Sequence, residues 1–440
     1  MDQGPECPNR RKVNDMMADH ALRAQLHNEV HARPPEPLQA PVGVSHWVMW
    51  LGESEKAQAR AHLRELLEDH HQAVDASASH VRADLGAFRL RWEMHTEFVS
   101  VTIMRPLDVA QWQPGAPLPT ARDVVPQRWL ASLPGQCLCA MHVTALHDSD
   151  EVLARGVRTS LQESSLSGAS VTDGQAVVLA DFALQADGHT QTLVLVRDLS
   201  PRRLGRLVQR LLEIETYRMA ALMGLPVARE SAVWLSRSET ELADLAASIR
   251  SASVDDESEL LDRLTRLAAE VESHYARTHS RFSASSAYFD LVRQRIEDLA
   301  EQRLDGTQTI KDFMDRRLSP AMNTCAWAMR RQQSLSERIS RTSNLLRTRV
   351  EIEQQESNQA LLHTMNQRQG LQLKLQSTVE GLSIAAITYY MTGLVGYVAK
   401  GAKSLGWPLD PELSMAAAVP LIALGMWWFL RRLHAKLTLH

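Results

Sequence analysis

Hydrophobic positions recur with two different spacings along the chain, and the change falls near its middle. Before the change, runs rich in β-branched and aromatic residues, such as 42–51 and 88–104, predict strands. Amphipathic stretches such as 53–73 predict helices between them. This mixture predicts an α+β or α/β domain over residues 21–199, preceded by a disordered tail over residues 1–20.

Helical spacing dominates residues 200–380, which we expect to form a helical bundle and stalk. Residues 321–369 contain neither Gly nor Pro, so they predict one helix of about 90 Å that continues to Gly381. Its apolar stripe is sparse. Two interpretations remain open: the helix packs in a bundle or in the coiled-coil stalk of a homo-oligomer, or it lies as a charged, solvated helix on a helical hairpin of its own chain.

Two uncharged segments follow near the C-terminus, residues 381–399 and 413–430. They have 19 and 18 residues, just enough to cross a hydrocarbon core of about 30 Å as helices. The connection contains two Gly and two Pro residues, which favours a turn, and basic residues flank the pair. We therefore expect a two-helix transmembrane hairpin over 381–430, with both termini and the basic tail 431–440 in the cytoplasm. The alternative is a buried helical hairpin in a soluble core.

The first of these segments is unusually polar for a membrane span, although it carries no charge. Hydroxyl groups within a bilayer need hydrogen-bond partners, and small residues allow helices to approach closely. We expect this segment to pack against other helices of a homo-oligomer, rather than to face lipid on all sides. The predicted packing residues are Thr388, Tyr389, Tyr390, Thr392, Gly393, Gly396 and Tyr397.

Composition narrows the class of protein. The chain has 48 Lys and Arg against 52 Asp and Glu, a net charge of −4, whereas nucleic-acid binders usually have a basic excess. Nucleic acid is therefore not an expected partner. Only four Cys are present, which argues against a disulfide scaffold and suits a reducing compartment.

Charged side chains alternate with apolar ones over residues 88–98, which predicts a strand with one charged face. That face would carry Arg89, Arg91, Glu93, His95 and Glu97. One interpretation is a polar cleft that binds a ligand or an ion, and the other is a solvated sheet face whose charges neutralise one another.

His31 and Arg33 belong to a Pro-rich segment that could fold against the charged face, so we include them in the same hypothetical ligand-binding site. His27 and His31 are spaced like a metal-binding pair, but the Glu of the zinc-protease pattern is displaced by one position. Cys137 and Cys139 would lie on one strand face and His142 on the other, so we expect buried thiols rather than a metal cluster there.

Several longer runs resemble a known family. They are residues 28–35 (NEVHARPP), 90–98 (LRWEMHTEF), 211–218 (LLEIETYR) and 378–386 (TVEGLSIAA). They are similar to a family of bacterial membrane-anchored proteins catalogued as domain of unknown function 3422. The resemblance implies a membrane anchor and supplies no activity. The overall layout is similar to that of CorA-type magnesium channels, but the Gly-Met-Asn signature of that family is missing.

These observations favour a non-enzymatic protein that senses, scaffolds or regulates at the bacterial inner membrane, by a process the sequence does not name. We expect the lipid bilayer and further copies of the chain as partners, with a protein or small ligand on the cytoplasmic domain. No cofactor and no catalytic residue is predicted. The alternatives are a CorA-like divalent cation channel and a membrane-tethered enzyme that uses the charged sheet face.

Overall fold

A computed structural model describes residues 20–23, 26–27, 34–72, 78–251, 256–408 and 410–437 of the chain. The described residues fall into two compact units. The first lies within residues 1–247 and 263–341, and the second within residues 248–262 and 342–440.

A mixed β-sheet is the centre of the first unit. Among the described residues it has nine strands, in the order β2-β3-β4-β1-β5-β8-β7-β6-β9. Only β5 and β8 pair in parallel. The strands are β1 Val42–Trp50, β2 His80–Asp84, β3 Arg89–Met94, β4 Phe98–Pro106, β5 Gln136–His147, β6 Ser167–Val171, β7 Ala176–Ala180, β8 Thr190–Val196 and β9 Gln302–Arg303.

Helices cover both faces of this sheet and then continue alone. Over the described part of the chain the α-helices are α1 Glu55–Asp69, α2 Gln127–Ala131, α3 Glu151–Ser160, α4 Pro201–Leu222, α5 Gly224–Ser251, α6 Glu257–Glu297, α7 Ile310–Arg317, α8 Ser319–Ser404 and α9 Pro411–Leu437. Helix α8 has 86 residues and contributes to both units, so the predicted uninterrupted helix is confirmed.

Alternation along the strands decides which helix covers which face. On one side, which we call the α4 face, Val42 and Val44 of β1 belong to a core that includes Leu204 and Leu211 of α4. Parts of α6, α7 and α8 complete that core. On the other side, the α1–α3 face, Trp47 packs with α1, whereas a separate cluster around β8 packs with α3. Successive residues of each strand therefore contribute to different cores.

The segment after residue 34 crosses α4 in close contact. The amide of Leu38 donates to the carbonyl of Pro201 at 2.9 Å. A Cβ atom at Gly205 would lie 1.8 Å from the carbonyl oxygen of Glu36, so only glycine allows this approach. The segment is thus part of the first unit's core, since Leu38 is buried there.

The sheet differs from the sequence expectation at four points, the first of which is the short strand β2, which is not predicted. The region 88–104 is a hairpin, because a turn in which the amide of His95 donates to Phe98 separates β3 from β4. The strands β6 and β9 are not predicted at all. Strand β6 has the sequence SGASV, whose small residues carry no strand signal, and it is buried by its neighbours rather than by its own hydrophobicity.

The second unit contains the apolar helical segments. Helix α9 and the end of α8 each include an 18-residue window of mean hydropathy 1.4, which is long and apolar enough to cross a membrane. The two helices touch near Gly396, where an added Cβ would lie 2.2 Å from the Met415 sulfur. Thr388 and Thr392 donate their hydroxyl hydrogens to carbonyls four residues earlier, at 2.7 Å each.

Candidate functional site

Two polar residues stand next to each other in the apolar central strand β1. Ser45 and His46 are both buried, and because they are consecutive they point to opposite faces of the sheet. Each belongs to a polar cluster, one under α4 and one on the α1–α3 face.

The cluster on the α4 face is an internal hydrogen-bond network. His46 Nδ1 lies 2.8 Å from Thr102 Oγ1, and His46 Nε2 lies 3.1 Å from Thr216 Oγ1 of α4. Arg91 Nη2 donates to Glu93 Oε1 at 2.9 Å, and His80 Nδ1 lies 3.2 Å from the same oxygen. The cavity between these groups and α4 measures about 60 Å³, which is room for a few water molecules or a small ion.

Burial sets the protonation state of this network. Burial opposes ionisation of the Glu93 carboxyl, but the adjacent His80 and Arg91 outweigh it and lower the pKa of Glu93 to about 2. Burial also lowers the pKa of His46 to about 4, against the opposing effect of Glu93. At neutral pH the network therefore holds an ion pair beside an uncharged imidazole.

The predicted ligand-binding residues do not share one surface. Arg91, Glu93 and His95 line the cavity. The guanidinium of Arg89 instead donates to the Pro37 carbonyl at 3.1 Å, and Glu97 contacts Arg281 and accepts from the Tyr288 hydroxyl at 2.9 Å.

The charged residues of β3 and of the turn after it do not form one continuous solvated face. Arg91 and Glu93 are only 7% and 9% exposed, because α4 covers them. His95 and Glu97 lie beyond the end of β3, in the turn before β4. His31 and Arg33 are outside the described residues, so their predicted role stays a prediction.

The cluster on the α1–α3 face is formed by His142, Asp187 and His189. One nitrogen or oxygen atom of each lies within 4.8 Å of the others. His142 Nε2 is 3.2 Å and His189 Nδ1 is 3.4 Å from Asp187 Oδ2. The two imidazole rings stack 4.0 Å apart, and Ser45 Oγ lies 2.8 Å from His142 Nδ1. We call these three residues the His-Asp-His cluster.

Strand register produces this cluster. In the parallel β5–β8 pair His142 is opposite Gln191, and His189 precedes Gln191 by two residues, so all three point to the same face. Asp187 lies in the turn before β8, where Gly188 has a φ of +82°. The turn at Asp187-Gly188 thus brings the carboxylate back over the sheet.

Two ionisable groups of this turn, Asp187 and His189, both have lowered pKa values, for different reasons. The hydrogen bond from His142 lowers the pKa of the Asp187 carboxyl well below its usual range, with smaller effects of the same sign from His189. Burial lowers the pKa of His189 to about 4, so this ring is uncharged at neutral pH.

His142 and Asp187 of the His-Asp-His cluster line a cleft of about 660 Å³, and His189 lines the cleft beside it. This neighbouring cleft of about 440 Å³ shares Arg122, Gln127 and Asp187 with the first. Polar side chains dominate the first cleft: Thr120, Arg122, Asp123, Gln127, Ser160, Gln185 and Gln191. This is the polar site of the sheet that solvent reaches directly.

The sequence contains a signal for this cluster, although none of the expected site residues belongs to it. His142 and Thr144 alternate in the otherwise apolar β5, and His189 and Gln191 alternate in the apolar β8. From the sequence alone we consider His142 only beside the cysteines of its own strand and place it on the opposite face, whereas its partners Asp187 and His189 come from the segment that leads into β8. Of those cysteines Cys139 is buried as expected, but Cys137 is exposed.

Taken together, the first unit defines an α+β protein with a mixed sheet, helices on both faces and a polar cluster on each, in a chain that carries two apolar C-terminal helices. The chain belongs to a family described as Protein of unknown function (DUF3422), whose family model matches residues 18–437. Comparison with curated proteins gives no match, and comparison with solved structures gives none. The layout similarity to CorA-type channels is therefore not supported.

Proposed function

We propose that the chain is a membrane-anchored bacterial protein that acts by binding rather than by catalysis, as a sensor, scaffold or regulator at the inner membrane. The observation that carries this proposal is the exposure of the apolar C-terminal helices. Leu394 and Leu421 are 59% and 74% exposed, and the apolar window of α9 is not buried at all.

Such exposure is unfavourable in water. Full burial of a large apolar side chain contributes about 1.5–3 kcal/mol, and the exposed large hydrophobic side chains of α8 and α9 number well over ten. Contiguous apolar surface of this size is typical of a membrane or protein interface. The segments also have the length of a membrane span, and a turn near Gly406 separates them.

The polar sites favour binding over catalysis. The cavity under α4 is too small for an organic substrate, and the Glu93 carboxylate there is already paired with Arg91. The cleft over the His-Asp-His cluster is larger and open, which suits a ligand or a partner segment. In this proposal the first unit lies in the cytoplasm and recognises its partner there.

Carbonate extraction of bacterial membranes tests the anchor. We expect the full-length chain to stay in the membrane pellet, since integral helices resist extraction. Leu394→Arg combined with Leu421→Arg places a charge in each apolar segment, at a cost of about 2.5–3.5 kcal/mol for each charge at a helix centre. This double variant should leave the pellet or be degraded.

The matched control is Leu184→Arg, which makes the same change at a residue that is 71% exposed in the first unit. It should remain in the pellet like the wild type. Recovery of the wild-type chain in the carbonate supernatant would contradict the proposed anchor.

A further inference from the structure

We propose that the His-Asp-His cluster is a binding site for a divalent transition-metal ion of the zinc class, with one coordination position open to the cleft. Two imidazole nitrogens and one carboxylate oxygen are the ligand set that such ions accept, and three protein ligands plus a water are typical of open zinc sites.

The tautomer of His189 supports this assignment. Its Nδ1 lies 3.1 Å from the backbone carbonyl oxygen of Asp187, which can only accept, so Nδ1 carries the hydrogen. Nε2 is then an unprotonated acceptor. It is buried and has no hydrogen-bond partner among the described residues, and the residue is 4% exposed. A buried imidazole lone pair without a partner is costly unless a cation or a water occupies the space beside it.

A hydrogen-bond partner also orients the ring of His142. Ser45 Oγ lies 2.8 Å from its Nδ1 and can accept a hydrogen from it, while Nε2 lies 3.2 Å from Asp187 Oδ2. A metal ion bound between Nε2 and this carboxylate would replace the hydrogen that they share. Partners such as Ser45 orient a histidine ligand and fix its tautomer. Ser45 is fully buried in β1, so it holds the ring rigidly.

The distances between the three candidate ligand atoms must adjust before all of them can bind one ion. In a tetrahedral zinc site with bonds of about 2.0–2.1 Å, ligand atoms lie about 3.3 Å apart. His142 Nε2 and Asp187 Oδ2 are 3.2 Å apart, and His189 Nδ1 is 3.4 Å from the same oxygen. One possible ligand atom of each residue lies within 4.8 Å of the others, so the three side chains are close enough for Asp187 to move toward His189 Nε2. The Asp187 side chain is 43% exposed and lies in a turn, so it is the group that can move.

The cleft provides both an entrance and the fourth ligand. Asp187 lines both open clefts, so an ion reaches the cluster without passing through the core. Arg122 lines the same clefts, and its charge favours a water-derived or anionic fourth ligand over a second cation. Asp123 partly offsets Arg122, although it already pairs with Arg105 at 3.2 Å.

Competition titration of the full-length protein tests the site. The chain is purified in detergent, stripped with a chelator and titrated with Zn²⁺ against a chromophoric chelator. We expect one tight zinc site per chain. Asp187→Asn and His189→Gln should each weaken zinc binding at least tenfold. The control Asp148→Asn removes the same charge from a half-exposed aspartate at the end of β5 and should bind as the wild type does.

Co²⁺ serves as a second probe that identifies the ligands. Bound Co²⁺ should show the visible absorption of a tetrahedral nitrogen and oxygen site without a thiolate charge-transfer band, and Asp187→Asn should lose that absorption. A thiolate band would instead assign the metal to a cysteine such as the exposed Cys137 and would overturn the proposal. Failure of the wild type to bind either metal, or equal binding by Asp187→Asn and Asp148→Asn, would overturn it as well.

Discussion

Single residues inside the first unit have strongly shifted pKa values. His46 is uncharged and hydrogen-bonded on both nitrogens, and Glu93 is ionised although it is almost fully buried. Removing one partner of such a pair leaves an uncompensated charge, which costs more than the intact pair contributes. The polar side chains of the α4 face therefore bind one another inside the protein and are held in fixed positions.

The lowered pKa of His46 makes a prediction about pH. An unfolded histidine binds a proton near pH 6.5, whereas the folded pKa is about 4. The unfolded state therefore binds more protons as the pH falls, and stability is lost between about pH 6.5 and pH 4. The shift corresponds to about 3 kcal/mol at most.

Thermal unfolding of the detergent-solubilised chain at pH 7 and pH 4.5 measures this loss. His46→Gln keeps a polar side chain but removes the titration, so the difference in Tm between the two pH values should shrink. Below about pH 4.5, protonation of Glu93 should destabilise the fold further in both proteins. An equal difference in Tm for the variant and the wild type would show that His46 is not responsible.

At the scale of helices and strands, close contacts between elements determine parts of the fold that the local sequence pattern does not predict. Helix α4 is predictable from its Ser200-Pro201 start and its apolar stripe, and in the structure it begins at Pro201, directly after Ser200. Its contact with the segment 34–38 is not predictable, because it depends on the absence of a side chain at Gly205. The boundary between β3 and β4 is not predictable either. The alternating pattern predicts a single strand there, because the tight turn between the two strands preserves the alternation of apolar residues.

Two glycine-to-alanine substitutions distinguish the effect of the close contact at Gly205 from the effect of helix propensity. Gly205→Ala should lower Tm, since the new methyl group would overlap the Glu36 carbonyl and push the segment 34–38 away from α4. Gly370→Ala lies in α8 with nothing within 4 Å and should raise helix stability by about 0.5–1 kcal/mol. Opposite signs of the two Tm changes are expected, whereas a neutral Gly205→Ala would contradict the close approach.

At the scale of the whole molecule, the chain combines parts that suit different surroundings. The sheet unit has buried cores on both faces, whereas the apolar windows of α8 and α9 are mostly exposed. The exposed rings of Tyr389, Tyr390 and Tyr397 have no cover from the described part of their own chain. A homo-oligomer or lipid would cover them, as the polar first segment suggested.

Cysteine labelling in intact cells tests the proposed topology. Leu405→Cys lies in the turn between α8 and α9 and is 82% exposed, whereas Leu184→Cys lies in the first unit and is 71% exposed. A maleimide that does not cross the inner membrane should modify Leu405→Cys and should reach Leu184→Cys only after the membrane is permeabilised. Labelling of Leu184→Cys in intact cells would reverse the orientation.

The sequence by itself determined the features that depend on local spacing: strands beside helices, the long helix α8, the two apolar segments and membership in the family. These follow from periodicity and composition, which are properties of neighbouring residues. Only the tertiary structure decided that the charged positions of β3 are buried under α4, and that His142 meets Asp187 and His189. Those contacts join residues 45 or more positions apart in the chain, through strand register that no local pattern encodes.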